Sequence, residues 1–473
     1  MDSGKLVMVL LLTAALATSG CSETVPSGQV GASSPNDSGG LEVTVYNNNL
    51  GVVKEGRSID LRDGLTSYSF EGVASQVDPT SVKLKSADGS FAVLEQNYKY
   101  DLVSKEKLLE KYIGKTISGF KVMGQAKEPV DGVLLSASWG DLILQRADGS
   151  IEVVSVSDLI LPSLPEGLIV KPTLEWLLTN RVAGAKQAEL SYMTGGMSWS
   201  ADYVVVTNKD DDRMDLNGWV TITNNAGATF KDAALKLVAG DVNRVQAPSM
   251  YGGKEMYAME DASSAANQFQ EQQLFEYHMY DLQRRTTLND KQQKQISLLE
   301  AKNSPVEKEY VFEGQGGWYN YGSTNTKVQV KLNFNNSQAG GLGMPLPKGR
   351  VRVFKEDSAG KLQFVGEDSI DHTPKDETVR LIVGNAFDIV GERKQVKVND
   401  LGCQYEVIWE DTLRNHKDTA VTVTVLENAY WDWTITSENY PHFKESNQRI
   451  RWRIPVAANG EAKLTYTIRY NNC

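Results

Sequence analysis

Beyond residue 40 the chain alternates apolar and polar residues in short runs divided by turn residues. That two-residue period is the mark of strands with one buried face. "LEVTVYNNNLGVVKEGRSIDLRDGLTSYSFEGV" breaks at Asn47–Asn49 and at Asp63-Gly64 and predicts a run of antiparallel strands. Thr173–Thr179 and Gln187–Thr194 read as hairpin partners around Gly184, and Val220, Ile222, Leu235 and Leu237 as inward-facing positions. Towards the end the alternation is cleanest: Val421, Val423 and Val425; Ile450, Trp452 and Ile454; Leu464, Tyr466 and Ile468. One helix stands out in "SKEKLLEKYIG": Ser104 caps it, Leu108, Leu109 and Tyr112 share a face, and Gly114 stops it.

From Lys115 to Pro162 the runs "GVLLSAS", "DLILQR" and "IEVVSVS" are parted by Trp139-Gly140 and Asp148-Gly149, strong hairpin signals. They predict a small SH3-like or Sm-like barrel acting as a structural insert. Residues 247–273, rich in Ala, Ser, Gln and Met, predict a mobile insertion or a marginal helix, with strands resuming at "LFEYHMYDLQRRTTLND". The expected fold is mainly β and multi-domain, with two β-sandwich-like units, the barrel insert and few helices. Its expected divisions are an N-terminal β domain at 41–103, the helix and barrel at 104–162, a sandwich at 163–340 and a C-terminal sandwich at 341–473.

Length supports this division, since 473 residues exceed what one hydrophobic core organises and two to four domains are expected. The net charge of -11 argues against nucleic acid as a partner. The first residues change the picture more. Lys5 precedes an apolar run, Leu6 to Ala17, too short to span a bilayer and fitting a secretion signal over residues 1–20. "TSGC" resembles a bacterial lipobox, which makes Cys21 a candidate for lipidation; Thr18 stands where leucine is usual. The rival is simple cleavage after Ala15-Leu16-Ala17. Residues 21–40 are Ser/Gly/Pro-rich and read as a flexible tether reaching on the order of 25 Å. With Cys21 lipidated, Cys403 and Cys473 form a candidate disulfide, the alternative being two free thiols.

Several segments resemble a known family. "VTVYNNNLGVVKEGRSIDLRDGLTSYSFEGVASQVDPTSVKLKS" is similar to the N-terminal domain of the mucoidy-inhibitor-like proteins. "AELSYMTGGMSWSADYVVV", "LKLVAGDVNRV", "FEYHMYDL", "KQISLLEAK", "LPKGRVRVF" and "TLRNHKDTAVTVTVLE" resemble the domain of unknown function 4139. The resemblance implies a mostly β, envelope-associated protein and assigns no catalytic residues. The long coiled coil of that family is missing here, and the small barrel takes its place.

Candidate chemistry is sparse. If residues 275–280 form one strand, Glu276, His278 and Tyr280 share a face, and Glu-x-His is a starting pair for a metal or acid/base site. Zinc needs three or four ligands, and no HExxH, CxxC or clustered histidine lies nearby, so a cross-strand polar pair is favoured and no metal or other cofactor is expected. His372, His416 and His442 stand in turn-like settings. Asn208, Asp210 and Asp212 have calcium-loop spacing, but Arg213 replaces the glycine and Trp219 the glutamate, which favours a solvated turn. Gly195-Gly196 reads as a turn that leaves Trp199 and Tyr203 to pack. Arg449, Arg451 and Arg453 line one strand face, a candidate surface for an anionic polysaccharide or headgroup, with pairing to neighbouring carboxylates favoured. Trp318, Tyr319, Tyr321, Trp431 and Trp433 are a candidate sugar-stacking surface, with core packing favoured.

The expectation is a non-catalytic envelope lipoprotein that binds or scaffolds envelope polymer or protein partners. Its partners are a membrane, through the anchor, and envelope polysaccharide or protein. Ser22 following Cys21 favours the outer membrane, with the protein facing the periplasm or the cell surface. The alternatives are a periplasmic hydrolase with a site near Glu276 and His278, and a surface adhesin.

Overall fold

The computed structural model describes residues 40–123, 126–138, 141–240, 242–243, 268–314, 323–430 and 432–471. The described residues are mainly strand, with one α-helix, Lys105–Tyr112, among them. Ser104 caps it by accepting from the Lys107 amide, and Leu109 and Tyr112 bury its inner face. No helix among the described residues is long and apolar enough to cross a membrane.

The expected N-terminal domain has no sheet of its own. Glu42–Tyr46 pairs antiparallel with Gly51–Leu61 and parallel with Phe230–Ala239, inside an eight-stranded sheet. Gly51–Leu61 also pairs with Gly184–Thr194, which takes Lys83–Ser86 on its other side. Gly64–Glu71 and Phe91–Lys99 flank Thr173–Asn180 in a separate three-stranded sheet. Residues 41–103 and 173–239 therefore interleave. The hairpin expected around Gly184 is also absent, because Thr173–Asn180 and Gly184–Thr194 belong to different sheets. Gly184, at φ +124°, stands where the chain steps from one sheet to the other. Alternation specifies which face is buried but not which strand lies alongside, so pairings between distant segments were free to override the local reading.

A five-stranded sheet covers the eight-stranded one: Gln292–Pro305, Arg213–Asn224, Met197–Thr207, Gly349–Glu356 and Leu362–Ile370, in that spatial order. Trp199 and Tyr203 point into the interface. The Trp199 indole N–H donates to Val238 O (3.1 Å), and its ring lies 6.2 Å from that of Tyr280. Val220, Ile222, Leu235 and Leu237 are all buried in this core, as their alternation predicts.

Nine further strands form a sheet with a second core. Glu307–Glu313 and Ser323–Asn335 belong to it, whereas Gly349–Glu356 and Leu362–Ile370 cross back to the preceding unit, so the sheets do not divide at residue 340. Thr378–Asp400 is a strand of 23 residues. Val379 and Leu381 at its start lie in the first core and Ile389 in the second. Its neighbour Ser323–Asn335 is shared in the same way, with Leu332 and Phe334 in the first core and Val328 in the second. Two strands thus join both cores into one framework.

Between the helix and residue 161, Thr116–Met123, Ala126–Ser138, Asp141–Gln145 and Ile151–Ile160 pair in a ring that closes on itself. Ile117, Val130, Leu134, Leu142, Leu144 and Val154 fill it, together with Leu109 and Tyr112 of the helix. Of the insertion expected at 247–273, residues 247–267 lie outside the described residues and Phe269–Leu274 is a strand. Its sequence, FQEQQL, has no apolar face to betray it; pairing with Tyr277–Leu282 makes it a strand.

Candidate functional site

The sequence singled out His278, and the structure changes its partner. Phe275 and Glu276 are the two turn residues of a hairpin whose closing pair is Leu274 and Tyr277. Glu276 is thus exposed in the turn and does not share a strand face with His278. The carboxylate at the histidine is Glu271, across the hairpin, with Oε1 2.7 Å from Nδ1. Among the described residues no group of three or more His, Cys, Asp or Glu is placed to hold a metal ion. What the pair supplies is a partly exposed, charge-assisted contact that fastens an edge strand.

The arginine row is matched with carboxylates from neighbouring strands. Arg449 Nη2 reaches Glu313 Oε1 (3.1 Å), Arg451 Nη2 reaches Glu445 Oε1 (2.7 Å), and Arg453 Nη2 reaches Glu307 Oε1 (3.4 Å). Opposite them Ile450, Trp452 and Ile454 are fully buried. Asn208 closes the "NKDDDRMD" turn by accepting from the amides of Asp212 and Arg213. Asp211 there leaves solvent to meet Lys308 (2.7 Å) and Lys355 (2.5 Å), one lysine from each of two sheets. Burial works against its charge, but the two lysines together outweigh it and hold the carboxyl below the usual aspartate range.

Sequence reasoning missed the most heavily buried polar cluster. Arg393 is 0 % exposed. Its Nε and Nη2 donate to the two oxygens of Asp411 (2.8 and 2.9 Å), Nη1 to Glu427 Oε2 (2.6 Å), and Nη2 also to the Tyr466 hydroxyl (2.8 Å). Tyr466 donates onward to Glu427 Oε2 (2.8 Å), and the guanidinium lies 4.9 Å from the Trp409 ring centroid. Burial favours the neutral form of Glu427 and raises its carboxyl above the ordinary range, against the pull of Arg393. The signal available was an arginine at an inward parity on one strand, with Asp411 and Glu427 at inward parities on two others.

Next to this cluster the nine-stranded sheet meets itself. Its two end strands, Asp432–Glu438 and His442–Ser446, follow one another in the chain across three residues yet pair with different neighbours. The sheet curls until these edges face, and side chains close the seam. His442, expected in a turn, is on a strand, and its Nδ1 stands 3.0 Å from each oxygen of Glu438. The Trp452 indole donates to Glu438 Oε2 (2.9 Å) and the Trp433 indole to Asn447 O (2.6 Å). Lys444 Nζ lies 5.1 Å from the Trp433 ring centroid, and Tyr440 is partly buried against the same core. The seam thus combines aromatic faces, a carboxylate, an imidazole and an ammonium along one line.

Of the other candidates, Trp318, Tyr319, Tyr321, Trp431, Cys21 and Cys473 lie outside the described residues. Cys403 is disulfide-bonded. Gln404 beside it pairs with Asn471, two residues before Cys473. Neither protein-family models nor curated proteins give a match to this chain.

Proposed function

We propose that the protein is a non-catalytic component of a bacterial cell envelope that binds envelope polymer through the seam of its C-terminal sheet. The seam is the observation that carries this reading. Trp433 and Tyr440 pack partly against the second core and leave part of each ring at the surface, beside the polar groups of Glu438, His442 and Lys444, a mixture suited to a polyhydroxylated chain. A scaffolding role is supported by the two strands shared between cores, which give the binding surface a stiff support. In the same reading Cys21 carries a lipid, the apolar run after Lys5 serves export, and the chain belongs with the mucoidy-inhibitor-like proteins that its segments resemble.

Two measurements test the reading. Purified chain incubated with isolated envelope polysaccharide is expected to co-sediment, and Trp433→Ala to lose most of that retention at temperatures well below its own unfolding midpoint, where circular dichroism shows it folded. Equal retention of wild type and Trp433→Ala would remove the seam from the proposal. Metabolic labelling with an alkynyl fatty acid is expected to mark the wild type and to miss Cys21→Ser. A mature N-terminus at Thr18 without lipid overturns the anchor.

A further inference from the structure

The hairpin Phe269–Leu274 and Tyr277–Leu282 ends in a feature that neither packing nor backbone preference explains. Its loop has two residues, and only the first, Phe275, has positive φ, at 58°. That is the pattern of a type II′ turn, whose first central position belongs to glycine because a Cβ crowds the backbone there. A bulky aromatic at positive φ is an outlier that persists only where something else requires it. Internal packing does not require it, since Phe275 is 80 % exposed, with Leu274 beside it 42 % exposed. The tip also lies beyond the strand ladder. The last rung to the neighbouring strand joins Ala239 to His278, so residues 274–276 run past the end of that pairing.

We infer that the Leu274–Phe275 tip is a membrane-contacting element that dips into the lipid bilayer to which the chain is anchored. The inference rests on the anchoring proposed above. Strained, exposed and apolar, the tip has the attributes of a wedge, and the Tyr277 ring 6.3 Å from Phe275 is an amphipathic side chain suited to the headgroup level. Chain length allows it. Glu42 is level with Ala234 and His278 with Ala239, five residues further along the same strand. At about 3.3 Å per residue, Gly40 and the tip lie about 30 Å apart along the sheet. The 18 residues between Cys21 and Gly40 can span at most about 65 Å. A lipid on Cys21 and the tip of the hairpin can therefore occupy one membrane surface.

The test uses the chain from Cys21 onward, which retains every described residue, with an N-terminal histidine tag held on nickel-chelating lipid in phosphatidylethanolamine/phosphatidylcholine vesicles. Tethering in this way makes the result independent of acylation, so a failed lipid anchor and a failed tip are distinguished. The emission that Phe275→Trp adds over the unsubstituted chain is expected to shift to the blue on vesicles and to be quenched by brominated acyl chains. Phe275→Gly supplies a second readout. It is expected to unfold at an equal or higher denaturant concentration, because glycine suits the turn, while amide exchange at residues 274–277 loses its vesicle-dependent protection. Tryptophan emission unchanged by vesicles overturns the inference, as does protection that appears only with added envelope protein. A Phe275→Gly chain that unfolds more easily than wild type does so too, since packing would then account for the side chain.

Discussion

Arg393 and Asp411 meet in a two-pronged ion pair, Nε to Oδ1 at 2.8 Å and Nη2 to Oδ2 at 2.9 Å, with both side chains 0 % exposed. Removing one partner leaves the other charge without compensation in the interior, which typically costs about 3–5 kcal/mol. Asp411→Asn and Arg393→Met should each lower unfolding free energy by about that much. The double variant should cost clearly less than the sum, because it removes both charges at once. Denaturant unfolding of the four chains checks this, and additive losses would show that the pair is not coupled.

Glu427 is expected to behave differently. Its folded pKa is raised, so its contribution to stability is complete below the unfolded value and lost as pH rises through the folded one. Glu427→Gln keeps an oxygen for the Arg393 and Tyr466 donors. It should cost less than Asp411→Asn at every pH and gain on wild type as pH rises above the ordinary carboxyl range. Unfolding free energies across pH 5–9 decide it; a Glu427→Gln deficit that grows with pH refutes the upward shift.

Asp211 has the opposite sign. Its folded pKa is lowered, so the stability it adds is present above the ordinary aspartate value, about 3.9, and disappears as pH falls through the folded value. The gap in melting temperature between wild type and Asp211→Asn should be widest near neutrality and close in acid. A gap that is constant with pH would mean that Asp211 acts through its turn and not through Lys308 and Lys355.

Gln404 pairs with Asn471 and Cys403 is disulfide-bonded, so the cross-link is expected to run to Cys473. Non-reducing peptide mapping should recover that linkage. Cys403→Ser and Cys473→Ser should each cost about 4 kcal/mol, with no further loss in the double variant. Recovery of a Cys21–Cys403 peptide would reassign the bond.

His278→Ala should cost no more than about 1 kcal/mol, as for other partly exposed pairs. Elemental analysis of purified protein checks the same residue from another side. Stoichiometric metal lost on His278→Ala would reopen a hydrolytic reading.

Which face of each strand is buried was legible along most of the chain, because burial follows the two-residue period directly; Ile450, Trp452 and Ile454 are an example. The helix with its Ser104 cap and the hairpin at Asp148-Gly149 were legible for the same local reason. Partners were not. Glu42–Tyr46 pairs with a strand almost 200 residues later, and nothing in either segment names the other. The error at His278 was smaller in scale and local in cause. Strand parity was carried across Phe275–Glu276, and phenylalanine hid a turn that glycine would have announced. The Arg393 cluster required knowing that four strands converge, although each of its residues sat at a readable inward position.

Glu42–Tyr46, the first strand of the fold, is held on both sides, by Gly51–Leu61 and by Phe230–Ala239. A tug on the chain ahead of Leu41 along the strand axis therefore loads two ladders in shear, every rung sharing the force at once. The same strand at an edge, pulled sideways, would peel away rung by rung. If the proposed anchor at Cys21 pulls on the chain, the strand that takes the force is the one with neighbours on both sides.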